Sequence, residues 1–213
     1  MPFNGGYINS ICLVSILKIP IGYVTGNLTL AGESIGQGNF VLFFHLFTLV
    51  LCFLLGSVIS GLIINGQNYK IDRCYSGSLI LQFLFVVSAM ALLLSGYHWA
   101  DYLLAMTMGM QNAMTTHYGT AIIRTTHMTG TTTDLGVLIG RWIKGQHIEF
   151  WKMRLYASLI IGFGCGAIAG ALAYHFLHAA ALTVSLLFYL FMLSWGLFYR
   201  HPNINNAHTF VKN

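Results

Sequence analysis

Charge is what this chain has least of. Only 7% of its 213 residues are Asp, Glu, Lys or Arg, against about a quarter in a soluble domain. With 56% apolar residues and a mean hydropathy of +0.71, that scarcity excludes an ordinary soluble fold and points to an integral membrane protein. The ten Lys and Arg exceed the five Asp and Glu, giving +5, but they are dispersed and form no patch that would hold nucleic acid. The four cysteines (Cys12, Cys52, Cys74, Cys165) stand in separate segments with no CxxC, which excludes a disulfide framework or a zinc knuckle. Nucleotide and nucleophile signatures are missing as well: there is no GxxxxGK, GxSxG or HExxH, so no catalytic residue is assigned. His175 and His178 share i,i+3 spacing without an accompanying carboxylate or cysteine, so no metal or cofactor is expected. The opening MPFNGGYINS has no basic n-region, and no cleavable signal peptide is expected.

What is present is apolar length. About Phe40 to Ile64, Ser78 to Gly96, Leu155 to Tyr174 and Ala181 to Tyr199 each supply roughly the 20 residues that one crossing needs. Gly6 to Gly36 and Tyr102 to Gly140 are too long for one plain helix and short for two, which predicts an interrupted helix in each. Basic residues test the count. Lys70 and Arg73, then Arg141, Lys144, Lys152 and Arg154, then Arg200 and Lys212 fall in alternate connections, while Gln37 to Asn39, Tyr97 to Asp101 and Phe176 to Ala180 hold none. The positive-inside rule then predicts six spans with both termini cytoplasmic.

The two long segments resemble each other. Gly6, Asn9 and Ser10 match Gly109, Asn112 and Ala113, and after a one-residue shift TGNLTLAGESIG (25–36) matches TGTTTDLGVLIG (129–140) at six of twelve positions. Gly56 and Gly61 recur as Gly166 and Gly170 in the span that follows each copy. Three spans per copy force the second copy to enter the membrane from the opposite side. The expected fold is therefore all-α: a polytopic membrane domain of six segments in two inverted three-helix repeats, 1–100 and 101–213, the first helix of each interrupted at Thr-Gly. Gly26 and Gly130 weaken a helix, Pro20 removes a donor, and the threonines can bond backbone groups that a break frees.

Unwound backbone at membrane depth is tolerated where it is buried in protein or lines a cavity. Asn9, Thr25, Gly26, Asn27, Gln111, Asn112, Arg124, Thr129 and Gly130 are therefore the expected substrate-binding residues, with His127, Asp134 and Glu33 as expected proton-coupling groups. Arg124 with Asp134, and Lys18 with Glu33, are the natural ion pairs of the two copies. Asp72, Asp101 and Glu149 read as solvated groups at loops or span ends.

The stretch GMQNAMTTHYGTAIIRTTHMTGTTTDLG, together with the weaker Thr-Gly-Asn copy near the N-terminus, resembles the YoaK family of bacterial inner-membrane proteins over nearly the whole chain. Many relatives there carry a histidine before the first Thr-Gly pair, where this chain has Tyr23 and Val24. The resemblance implies a bacterial inner-membrane location and supplies no substrate. The leading functional expectation is a secondary transporter of a small, anionic solute, driven by protons, with membrane lipid as a partner and homo-oligomerisation left open. A passive channel and a lipid-binding membrane enzyme or assembly factor are the alternatives.

Overall fold

The computed structural model describes residues 1–64, 73–116 and 125–199. Lys70, Asp72, Arg124, Arg200 and Lys212 lie outside them, as does the side chain of Arg73. Every regular element among the described residues is a helix: α1 Pro2–Val14, α2 Val24–Gly36, α3 Phe40–Ile63, α4 Arg73–Leu94, α5 Ala100–Thr116, α6 Met128–Ile143, α7 Phe150–Leu177 and α8 Leu182–Tyr199, with a 3-10 turn His178–Ala181 between the last two.

Among the described residues, three stretches are long and apolar enough to cross a membrane: Phe40–Ile63, Tyr75–Leu94 and Phe150–Gly196. The third is divided where His178 takes φ +49°, a conformation an L-residue enters at a cost, so each of the four plain apolar segments corresponds to its own helix. Large apolar side chains such as Phe44, Leu62, Ile161, Ile168, Phe176 and Leu187 stand exposed on these helices, a surface suited to acyl chains.

Both long segments are indeed interrupted, at a place the Thr-Gly pairs do not mark. α1 starts at Pro2, where a missing N–H costs nothing, and ends at Val14, capped by Ser15, whose hydroxyl donates to the Cys12 carbonyl and accepts from the Leu17 N–H. Lys18 then takes φ +57° and Pro20 cannot donate. The chain re-enters a helix only at Val24, so Thr25 and Gly26 form the first turn of α2, just after the break. Likewise Thr129 and Gly130 form the first turn of α6. The expectation of a break at Thr-Gly is corrected: each pair restarts a helix.

The halves before the breaks, α1 and α5, occupy the centre. Tyr7, Ile8, Ile11 and Cys12 on one, and Leu104, Ala105, Met108 and Gln111 on the other, are buried, whereas α2 and α6 are mostly exposed. α1 packs along α7 and α3 along α5. These contacts are reciprocal. A β-carbon on Gly6 would collide with the Phe163 carbonyl and one on Gly166 with the Phe3 carbonyl; Gly109 stands in the same way against Phe53 and Gly56 against Met106. In each pair contacts advance together, from Phe3 with Gly166 to Tyr7 with Gly170, and from His45 with Tyr102 to Ser57 with Gly109, so the paired helices run parallel.

Candidate functional site

Asparagine closes each break. Asn9 Oδ1 accepts the Gly22 N–H at 2.8 Å, and Asn112 Oδ1 accepts the Thr126 N–H at 3.0 Å. The two bonds span matched positions once the one-residue shift is applied. Asn112 does more: its Oδ1 also accepts from the Thr125 hydroxyl at 2.9 Å, and its Nδ2 donates to the Thr126 hydroxyl. Asn27, 1% exposed, ties the start of α2 back to the first break through Nδ2 and the Pro20 carbonyl. A backbone group freed in apolar surroundings costs about 1–3 kcal/mol if left unpaired, so these amides are what make the interruptions tolerable. The threonines do not share that task. Thr29, Thr131 and Thr133 donate to the carbonyls of Thr25, His127 and Thr129, four residues back in their own segments.

The Thr-Gly glycines serve the residue three positions earlier. A β-carbon on Gly26 would run into the Tyr23 ring, and one on Gly130 into the His127 ring. Tyr23 and His127 are the N-cap residues of α2 and α6, and each lays its ring over the glycine of the first turn. Neither makes a side-chain capping bond, and neither helix has an acidic residue in its first turn. The first backbone donors to find partners in this register are Asn27, bonded to Tyr23, and Thr131, bonded to His127. The N–H groups of Thr25, Gly26, Thr129 and Gly130 are left as the open donors of two helix N-termini.

Both N-termini border one cavity of about 660 Å³. Gly22 to Thr25 line it from the first break and Thr126 to Thr129 from the second; Asn112 and Ala113 on α5 complete the polar side. The remaining wall is one face of α3: Val50, Phe53, Leu54, Ser57 and Gly61. These α3 residues were not anticipated from the sequence. Ser57, one of three hydroxyl side chains in this apolar span and the one at helical spacing from Phe53 and Gly61, was the available signal.

The expected site residues thus divide. Thr25, Asn112, His127 and Thr129 line the cavity, Gly26 and Gly130 lie in the turns beside it, and Asn9 and Asn27 hold the first break in shape. Gln111 is buried in a separate knot, accepting from Asn4 at 3.1 Å and Tyr189 at 3.3 Å and donating to Thr125 at 3.1 Å. Arg124 lies outside the described residues, and with it the Arg124–Asp134 pair. Asp134 and Glu33 stand exposed on α6 and α2, away from the cavity lining. The expected Lys18–Glu33 pair does not form: Lys18 reaches the Val14 carbonyl, while Glu33 bonds Gln37 at 2.9 Å. Glu33 sits nine residues into α2, about 14 Å along the axis, too far from the break that holds Lys18.

Asp101 also departs from expectation. It is 1% exposed, with Oδ2 3.0 Å from His45 Nε2, and it is no solvated loop acid. α5 begins at Ala100, which puts Asp101 in a first turn that packs onto α3. Glu149 does behave as a surface group: Lys152, 2.9 Å away, holds its carboxyl below the usual range. No cluster of three metal-ligating side chains occurs among the described residues.

A helical protein with membrane-length apolar helices, in which two interrupted segments bring their restarted helices to one cavity, is the class these observations define. The chain belongs to the family described as protein of unknown function (DUF1275), whose pattern matches residues 1–195. No curated protein and no solved structure matches the chain.

Proposed function

We propose that this protein is a secondary transporter of a small organic anion, built from two inverted three-helix units in a bacterial inner membrane, with both termini cytoplasmic. The observation that carries the reading is the convergence of two uncapped helix N-termini on one cavity whose lining, among the described residues, holds no carboxylate. Such termini present oriented N–H donors and about half a positive charge each, which favours a carboxylate or another compact anion. The opposite wall, Val50, Phe53 and Leu54, is apolar and suits a substrate whose charged end is attached to a hydrocarbon part.

The reciprocal helix pairs support an inverted arrangement, because three crossings per unit and parallel exchange of α1 with α7 and α3 with α5 are what a two-fold axis in the membrane plane produces. The cavity itself is one-sided. It uses the α3 face, while the matched α7 residues Ile160, Phe163, Gly164, Ala167 and Gly170 do not line it. Alternating access follows if the second state exchanges the two faces around fixed helix N-termini.

Apparent melting of the full chain tests the anion preference. Acetate, butyrate, succinate and phosphate, each as a sodium salt, are compared with sodium chloride at equal ionic strength. Saturating stabilisation by at least one organic anion is expected, about 2.7 kcal/mol at a hundredfold excess over Kd. A panel that leaves melting unchanged counts against the reading. In proteoliposomes, saturable flux with counter-exchange identifies a carrier; free dissipation identifies the channel alternative.

A further inference from the structure

Away from the cavity, where α3 and α5 both begin, a second polar cluster is built into the protein. Asp101 is buried, with Oδ1 accepting the Tyr102 N–H at 2.8 Å. Its Oδ2 lies 3.0 Å from His45 Nε2 but without the alignment of a hydrogen bond, so this buried oxygen has a charge partner and no directed donor. The other imidazole nitrogen, Nδ1, is 2.8 Å from the Tyr102 hydroxyl. His45 is 25% exposed and so connects the buried carboxylate with the surface. Among the described residues the surrounding elements add no second cation. Cys12 on α1 and Cys52 on α3 are near enough to feel the Asp101 charge, Glu33 on α2 is turned outward to Gln37, and the last three turns of α4, 84–94, carry no titratable residue. His98 offers only its backbone carbonyl, which accepts the Asp101 N–H at 3.3 Å.

We propose that Asp101, His45 and Tyr102 form a proton-binding site, with the proton held on the His45 imidazole against the Asp101 carboxylate. An ion pair at this depth balances its desolvation only while both charges are present. When the proton leaves, the carboxylate keeps its charge with one backbone N–H for support, and the α3 and α5 ends lose their reason to stay together. α3 supplies the apolar wall of the cavity and α5 supplies Asn112, so proton occupancy bears on both sides of the anion site. As the coupling site of transport it rests on the reading above; as a proton site it stands on its own geometry. The repeat does not duplicate it, since the α7 residue matched to His45 is Leu155.

The purified full chain is titrated between about pH 5 and 8, the interval in which imidazole changes charge, reading proton uptake and apparent melting together. Wild type is expected to take up about one proton more than His45→Gln and to melt a few degrees lower at the alkaline end. Asp101→Asn removes the charge and keeps the shape. Its melting is expected to lose that pH dependence, with Tyr102→Phe intermediate. If Asp101→Asn keeps the wild-type pH dependence of melting, or His45→Gln takes up as many protons as wild type, the proposal is overturned. Butyrate stabilisation of Asp101→Asn is read in the same samples. Its persistence beside a failed proton count removes the proton site and leaves the anion site standing, and its absence in wild type removes the anion site alone.

Discussion

Gly56→Ala and Gly166→Ala are each expected to lower stability by about 3 kcal/mol or more, at or beyond the upper end for overpacked sites. The added β-carbon would meet the backbone of Met106 in one case and Phe3 in the other, and neither neighbour is a flexible side chain that can swing away. Helices in lipid gain association through close backbone approach, so a forced separation of α3 from α5, or α1 from α7, removes the contact that organises each pair. At about 2–4 °C per kcal/mol for a chain of this size, apparent melting falls by about 6–12 °C. Gly164→Ala is the control, two residues from Gly166 on the same helix with nothing within 4 Å of an added β-carbon. There the change should be neutral or slightly stabilising, because alanine is the better helix former by about 1 kcal/mol. Equal melting of Gly164→Ala and Gly166→Ala would contradict the packing account.

Asn112→Asp is expected to keep the fold and abolish anion stabilisation. The aspartate can still accept the Thr126 N–H and the Thr125 hydroxyl, and the Thr126 hydroxyl can turn to donate where it now accepts. The new negative charge sits in the cavity lining beside the α6 N-terminus, where the helix dipole favours it and an incoming anion is repelled. A loss of apparent affinity of at least about tenfold, or 1.4 kcal/mol, is expected in the same melting assay. Asn112→Ala separates the two roles. It leaves the Thr126 N–H and the Thr125 hydroxyl without that acceptor and should cost about 2–5 kcal/mol, so it loses stability as well as binding. An Asn112→Asp protein stabilised by the same anions to the same extent would place the anion elsewhere.

Much of the architecture could be read from residue pattern, because apolar length and the recurrence of glycine report directly on membrane-length helices and close packing. The four plain helices, the two interrupted segments and the matched Asn9 and Asn112 were visible in this way. The exact restart of each helix was not. Glycine inside a helix costs about 1 kcal/mol, which suggested a break at Gly26 and Gly130, but in a first turn a glycine leaves room for the N-cap ring of Tyr23 or His127. Threonine tracts misled for a related reason: a threonine hydroxyl is satisfied most cheaply by the carbonyl one turn back, so the task of closing the breaks fell to asparagine. The burial of Asp101 depended on which helix lies beside α5, a tertiary fact that spacing along one helix does not contain.

The most direct test of the central claim, that two interrupted helices restart at one water-filled site within the membrane, is cysteine accessibility. Thr25→Cys, Thr129→Cys and Ser57→Cys, each in a chain whose native cysteines are replaced by serine or alanine, are exposed in intact membranes to a charged, membrane-impermeant thiol reagent. Leu62→Cys, on the exposed outer face of α3 and outside the cavity lining, is the reference. The account predicts modification of all three cavity positions from the same side of the membrane, slowed by a stabilising anion, with Leu62→Cys unreactive. Thr25→Cys and Thr129→Cys as unreactive as Leu62→Cys, or modified from opposite sides in the same preparation, would contradict it.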